Sequence, residues 1–229
     1  LAKSLLRKYK PKSILEIGSN DGCFIKHFKK IKNIGVEPCK NLADITTKMK
    51  IKTYPSFWTK KLSKKIINEK GLFDIIYSAN TISHIHNLKE TFEAIEMSLN
   101  RNGIFILEDP SLLETLKKNS YDQFYDEHAY VFSLTALKNL TNKTGLEIFK
   151  VEKLNTHGGS NRVFFKKKVN NNLKVSSKYL KYLSIEKKFG IEKLTTYKKF
   201  AKNVQNSKKA LIKIFKKIKN KGNTIIGYG

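Results

Sequence analysis

The chain has 229 residues, 40% hydrophobic and 28% charged, enough for one sizeable core and the beginning of a second domain. It carries a formal net charge of +27, but only Arg7, Arg101 and Arg162 are arginines. Base readers favour the arginine fork, so lysine on solvated faces argues against a sequence-specific nucleic-acid partner. No apolar run approaches the roughly 20 residues of a membrane span, and no signal peptide opens the chain. Cys23 and Cys39 lack metal-ligand spacing, so they read as free thiols of a cytoplasmic protein without a metal site.

From the start, strand and helix patterns alternate. "SILEIG" (13–18) predicts a buried strand, and Asp21 to about Ile31 a helix. "NIGVEP" (33–38) and "IKTYPSF" (51–57) predict the second and third strands, followed by a lysine-rich helix near 59–69. "LFDIIYSA" (72–79) predicts the fourth, a helix covers 88–99, and "GIFILED" (103–109) predicts the fifth. A helix near 134–143 leads to "LEIFKVEKL" (146–154) and "SNRVFFKKK" (160–168), which alternate as an antiparallel hairpin. From about 173 to 220 the pattern is helical and rich in lysine. The order predicts an α/β, Rossmann-like class I methyltransferase sheet of seven strands, five of them parallel, with a helical C-terminal extension. The expected division is residues 1–169 for the methyltransferase domain and 170–229 for a helical segment opening a further domain. The first residue is Leu1, and "TIIGYG" at the other end reads as a strand and glycine turn that begin a βα unit. The chain is therefore expected to be a fragment of a longer protein.

"LEIGSNDGCF" (15–24) joins the first strand to its helix. Gly18 and Gly22 allow close approach of the backbone to a ligand, with helix amides facing it. About 20 residues beyond Gly18, Glu37 ends the second strand, where a carboxylate can accept from both hydroxyls of a ribose. A dinucleotide site shares this logic but needs G-x-G-x-x-G, whereas this loop is G-S-N-D-G with Asp21 where a pyrophosphate would lie. S-adenosylmethionine carries an amino group and a sulfonium instead of phosphate, so the acidic loop suits it. Glu16, Gly18, Asn20, Asp21, Gly22 and Glu37 are the candidate cofactor residues, with Asn80 at the end of the fourth strand.

"LEIGSNDG", "GVEP", "ANTISHI", "FYDEHAYVFS", "HGGSNR" and the terminal "IIGYG" stand in the order found in nucleotide-sugar C-methyltransferases, which the chain resembles over essentially its whole length. The resemblance implies three parts: a small zinc-binding domain, absent here, a methyltransferase domain, and a C-terminal Rossmann-like domain opening at "GYG". It further implies a nucleotide-linked, dTDP-type keto-deoxysugar as substrate and a monomeric cytoplasmic enzyme, with zinc confined to the missing domain.

"QFYDEHAY" follows the fifth strand and so crosses the carboxyl edge of the sheet, where ligands of open α/β sheets bind. His84 lies just past the fourth strand at the same edge. The resemblance supports Tyr125, Glu127, His128 and His84 as active-site residues. Carbon methylation needs a base beside a ketone and a donor for the enolate oxygen. His128 is the candidate base because imidazole titrates near working pH. Glu127 is placed to orient or tune it, and Tyr125 and His84 to donate to the oxygen. His157, Gly158, Gly159 and Ser160 are expected at the sugar, or only in the hairpin turn. Arg162 is expected at a phosphate, or on the sheet surface. An O- or N-methyl acceptor, or a nucleic-acid methyltransferase, are the competing readings; no Asn-Pro-Pro-Tyr motif for a flipped base is present.

Overall fold

The computed structural model describes residues 1–227. One seven-stranded sheet runs in the order β3-β2-β1-β4-β5-β7-β6, built from β1 (Ser13–Ile17), β2 (Lys32–Val36), β3 (Lys52–Tyr54), β4 (Phe73–Ala79), β5 (Leu99–Pro110), β6 (Leu146–Leu154) and β7 (Ser160–Lys167). The first five are parallel, and β7 is antiparallel to both β5 and β6. All of β1 is buried, as expected of a central parallel strand covered on both faces. Period-two alternation sends Leu15, Ile17, Ile76, Phe105 and Leu107 into one core. Ile14, Ile75, Tyr77, Ile104 and Ile106 enter the other.

Helices α1 (Ala2–Tyr9), α2 (Lys40–Lys48), α3 (Lys60–Lys70), α4 (Leu88–Ser98), α5 (Leu112–Lys118), α6 (Leu134–Asn142), α7 (Ser177–Phe189) and α8 (Leu194–Lys219) complete the chain. Glu186 of α7 is fully buried. Its carboxylate accepts from the backbone N–H groups of Leu134 and Thr135 at 2.8 Å each, and from the Thr135 hydroxyl at 2.7 Å. These N–H groups belong to the first turn of α6 and have no partner within the helix. The helical extension is thus fastened to the helix that follows "QFYDEHAY". Within α8 no residue is buried.

Three expectations are corrected. The helix from Asp21 to Ile31 is a single 3-10 turn, Ile25–Phe28. Asn20 and Gly22 both take left-handed φ, 47° and 80°, so regular helix cannot start there. The third strand stops at Tyr54 because Pro55 follows and Ser56 N–H turns back to the Tyr54 carbonyl at 2.9 Å. The predicted strand in "TIIGYG" is irregular through Gly227, with Ile226 exposed; Tyr228 and Gly229 lie outside the described residues. No helix among the described residues is long and apolar enough to cross a membrane.

Candidate active site

A cavity of about 590 Å³ opens at the carboxyl ends of β1 to β4, large enough for a nucleoside-sized ligand. The turn after β1 forms one wall with Gly18, Asn20 and Asp21. Gly18 has φ 73°, and a Cβ there would lie 2.1 Å from Thr81 Oγ1, so only glycine fits between the two loops. Glu37 fastens this turn. Its Oε2 accepts from Asn20 N–H and its Oε1 from Cys39 N–H, each at 2.9 Å. A carboxylate has about four acceptor positions, so two remain for a ligand's hydroxyls. Asp21 Oδ1 accepts from Cys23 N–H at 3.0 Å and shapes the same turn. Gly22 is not in the lining; its Cα faces Thr46 of α2, 2.8 Å from where a Cβ would stand, and its role is packing.

Glu16 faces the cavity from within β1. It is 5% exposed, and Oε2 has no hydrogen-bond partner among the described residues. Burial pushes its carboxyl well above the ordinary range, the charges of Asp21 and Glu37 add to the rise, and a backbone hydrogen bond from Ile25 opposes it. An unpartnered carboxyl oxygen beside two further acids calls for a cation. The ammonium of S-adenosylmethionine fits that requirement, while an anionic pyrophosphate does not.

After β4, His84 lines the cavity from a 3-10 turn, Ile82–His84. The His128 ring meets it edge-on, with centroids 5.0 Å apart. Nδ1 of His128 lies 2.8 Å from the Gln123 carbonyl oxygen. A carbonyl only accepts, so Nδ1 carries a proton and donates, and in the neutral ring Nε2 is left with its lone pair. The Tyr125 hydroxyl, 3.0 Å from Nε2, donates to it. Burial lowers the His84 pKa, the neighbouring His128 lowers it further, and Glu127 opposes both, so His84 is neutral at neutral pH. Tyr125 and Glu127 are exposed.

Asn80, with φ 49°, joins this group: it lines the cavity, and its side-chain amide lies 3.4 Å from His157 Nε2. Gly158 and Gly159 form the turn between β6 and β7. Gly158's carbonyl accepts from Lys118, and Gly159's carbonyl accepts from Ser111 N–H at 3.0 Å. Ser160 is buried and donates to the Thr156 carbonyl at 3.0 Å, which makes it a turn residue. Arg162 is not brought to the cavity. Its guanidinium donates to Glu108 at 2.5 Å and Glu152 at 2.9 Å, and those are its register partners on the two adjacent strands. It therefore stands as a sheet residue, with both neighbouring carboxylates where a phosphate would have to bind.

Sequence reasoning missed Phe57, Trp58, Tyr77 and Thr81 in the cavity wall. The usable signal was position, since Phe57 and Trp58 follow a strand at the same edge of the sheet that located Glu37 and His84.

Residues 1–151 match the family described as "Methyltransferase domain", and 155–229 match "C-methyltransferase C-terminal domain". The junction falls at the end of β6, so β7 belongs to the second match while completing the sheet of the first. A C-methyltransferase of Streptomyces niveus, NovU, is 29% identical over 218 residues, covering 94% of this chain and 52% of that protein. The chain thus spans about half the length of this curated relative. Among solved structures, a possible histamine N-methyltransferase of Thermotoga maritima is 24% identical, with TM-score 0.52 over 73% of this chain and 88% of its own. Magnesium protoporphyrin IX methyltransferase of Synechocystis, with bound S-adenosylhomocysteine, is 14% identical, with TM-score 0.52 over 72% and 80%. At such identities the structures establish the fold.

Proposed function

Since the chain belongs to the methyltransferase-domain family and S-adenosylmethionine is its cofactor, we propose that it transfers the methyl group to carbon, on a nucleotide-linked keto-deoxysugar. The C-terminal match, the C-methyltransferase relative and the resemblance of "EHAYVFS" and "HGGS" support carbon as the acceptor. The observation that carries the reading is His128: an imidazole fixed in one tautomer, with a lone pair on Nε2, beside a second histidine that lines the cofactor cavity.

The cofactor supplies an electrophilic methyl group on a sulfonium. Glu16 takes its ammonium, and Glu37 accepts from its ribose hydroxyls. Asn20, Asp21 and Gly18 hold the turn that encloses it. His128 Nε2 removes the proton on the sugar carbon next to the ketone, after the Tyr125 hydroxyl swings from Nε2 to the ketone oxygen. His84, neutral and a hydrogen-bond donor, shares the developing negative charge. Glu127, whose charge acts on His84, stabilises the imidazolium that His128 becomes. His157, 3.4 Å from the Asn80 amide that lines the cavity, contacts the sugar.

The test uses S-adenosylmethionine with a ¹³C-labelled methyl group and a panel of dTDP-linked keto-deoxysugars. The reading predicts a product whose label is bonded to a ring carbon next to the ketone. Label found on oxygen or nitrogen would overturn carbon methylation.

A further inference from the structure

Beneath the catalytic loop, outside the cofactor cavity, lies a buried polar pair. Asp109 of β5 and Asn161 of β7 are register partners in the antiparallel ladder, so their side chains leave the sheet side by side on one face. They are 3% and 4% exposed. Together with Leu107, Pro110, Phe132, Leu137 and Val163 they line a narrow crevice. Asp109 Oδ1 accepts from the Ser83 hydroxyl at 2.7 Å. Asp109 Oδ2 and Asn161 Oδ1 have no partner among the described residues.

Two bare, buried acceptor oxygens are costly, and a bare carboxylate is costlier still. A single proton on Asp109 Oδ2 satisfies both, by donating to Asn161 Oδ1. Burial pushes the Asp109 carboxyl up to about 7; the charge of Glu108 adds to this, and the Ser83 bond opposes it.

Ser83 links this pair to the chemistry. It precedes His84 in the same turn, and its carbonyl accepts from Tyr130 N–H at 3.1 Å. Ser111, two residues beyond Asp109, pairs with Phe132, and Leu112 N–H donates to the Phe132 carbonyl at 2.9 Å. One buried strand end therefore holds the turn carrying His84 and the far end of the loop carrying Tyr125 and His128.

We propose that Asp109 is a positioning residue: a neutral carboxylic acid that donates to Asn161, accepts from Ser83 and so fixes His84 against His128. The proposal rests on the assignment of His84 and His128 to the active site.

Two measurements need no sugar. Infrared spectra of the enzyme with bound S-adenosylhomocysteine, taken below neutral pH, should show the carbonyl stretch of a protonated acid, and Asp109→Asn should lose it. In Ser83→Ala, which spares the Asp109–Asn161 pair, the imidazole resonances of His84 and His128 should both move. The third measurement is turnover. Asp109→Asn, isosteric with the neutral acid, should keep kcat within about threefold, while Ser83→Ala and Asp109→Ala should lower kcat about 10- to 100-fold with S-adenosylhomocysteine affinity unchanged. Absence of the acid band, or Asp109→Asn as damaged as Asp109→Ala, overturns the neutral acid. Unmoved resonances in Ser83→Ala overturn the positioning role. Moved resonances in an enzyme that methylates no carbon count against the proposed reaction alone. If Asp109→Ala fails to fold, Ser83→Ala decides.

Discussion

Replacing Glu37 by glutamine keeps the side-chain shape and removes one acceptor oxygen. In the native turn both oxygens are held by backbone N–H groups, of Asn20 and Cys39, at 2.9 Å. The amide can serve one of these and must turn a donor toward the other. It also has fewer lone pairs to offer a ribose. The loss of one charge-assisted bond, about 1.5–3 kcal/mol, corresponds to roughly 10- to 150-fold weaker binding of S-adenosylhomocysteine. Calorimetry measures this directly. Trp58, the single tryptophan and part of the cavity wall, provides a fluorescence titration as an independent readout. Unchanged affinity in Glu37→Gln by both methods would refute the assignment of Glu37 to the ribose and to the order of the turn.

Asp109, raised by burial to about 7, and Glu16, raised well above its ordinary value, bind more protons in the folded than in the unfolded cofactor-free chain. Their linkage therefore makes the fold less stable as pH rises from the ordinary carboxylate range through about 7; urea melts should show this slope, flattened in Asp109→Asn. Glu186→Ala strips the acceptor from two N–H groups at the start of α6. At about 1–3 kcal/mol each, Tm should drop by roughly 4–24 °C in a thermal melt; an unchanged Tm would remove α7 from the structural support of α6.

The central strands were readable because β1 and β4 are short, mostly apolar and almost wholly buried, as a sheet covered on both faces requires. Glu37 was readable because its distance from Gly18 follows from the crossover between two adjacent parallel strands. The helix α2 was not, since it buries only Ala43 and Thr46 among its nine residues and leaves little apolar periodicity. The short turn after β1 was hidden for a different reason: "CFIKHF" has helical spacing, but Asn20 and Gly22 in left-handed conformation consume the residues that would begin a helix. Arg162 and Asp109 depended on strand register. Which carboxylates flank the arginine, and which amide lies beside the aspartate, is decided by the pairing of β5, β7 and β6, and no local pattern carries that information. Tyr125, Glu127, His128 and His84 could be grouped in advance because two loops at one sheet edge must converge; the edge-on contact of the two histidines follows from that placement.

Enolisation at His128 is tested most directly by hydrogen exchange without methyl transfer. With S-adenosylhomocysteine in place of the methyl donor, the enzyme in heavy water should exchange the hydrogen on the keto-sugar carbon that is to be methylated. In His128→Asn, which should still bind S-adenosylhomocysteine, exchange should slow by about 10²–10⁴-fold, the usual contribution of a positioned base. Tyr125→Phe should slow it less, having lost only a donor to the ketone oxygen. Normal exchange in His128→Asn, with none in Tyr125→Phe, would contradict the account and make Tyr125 the base.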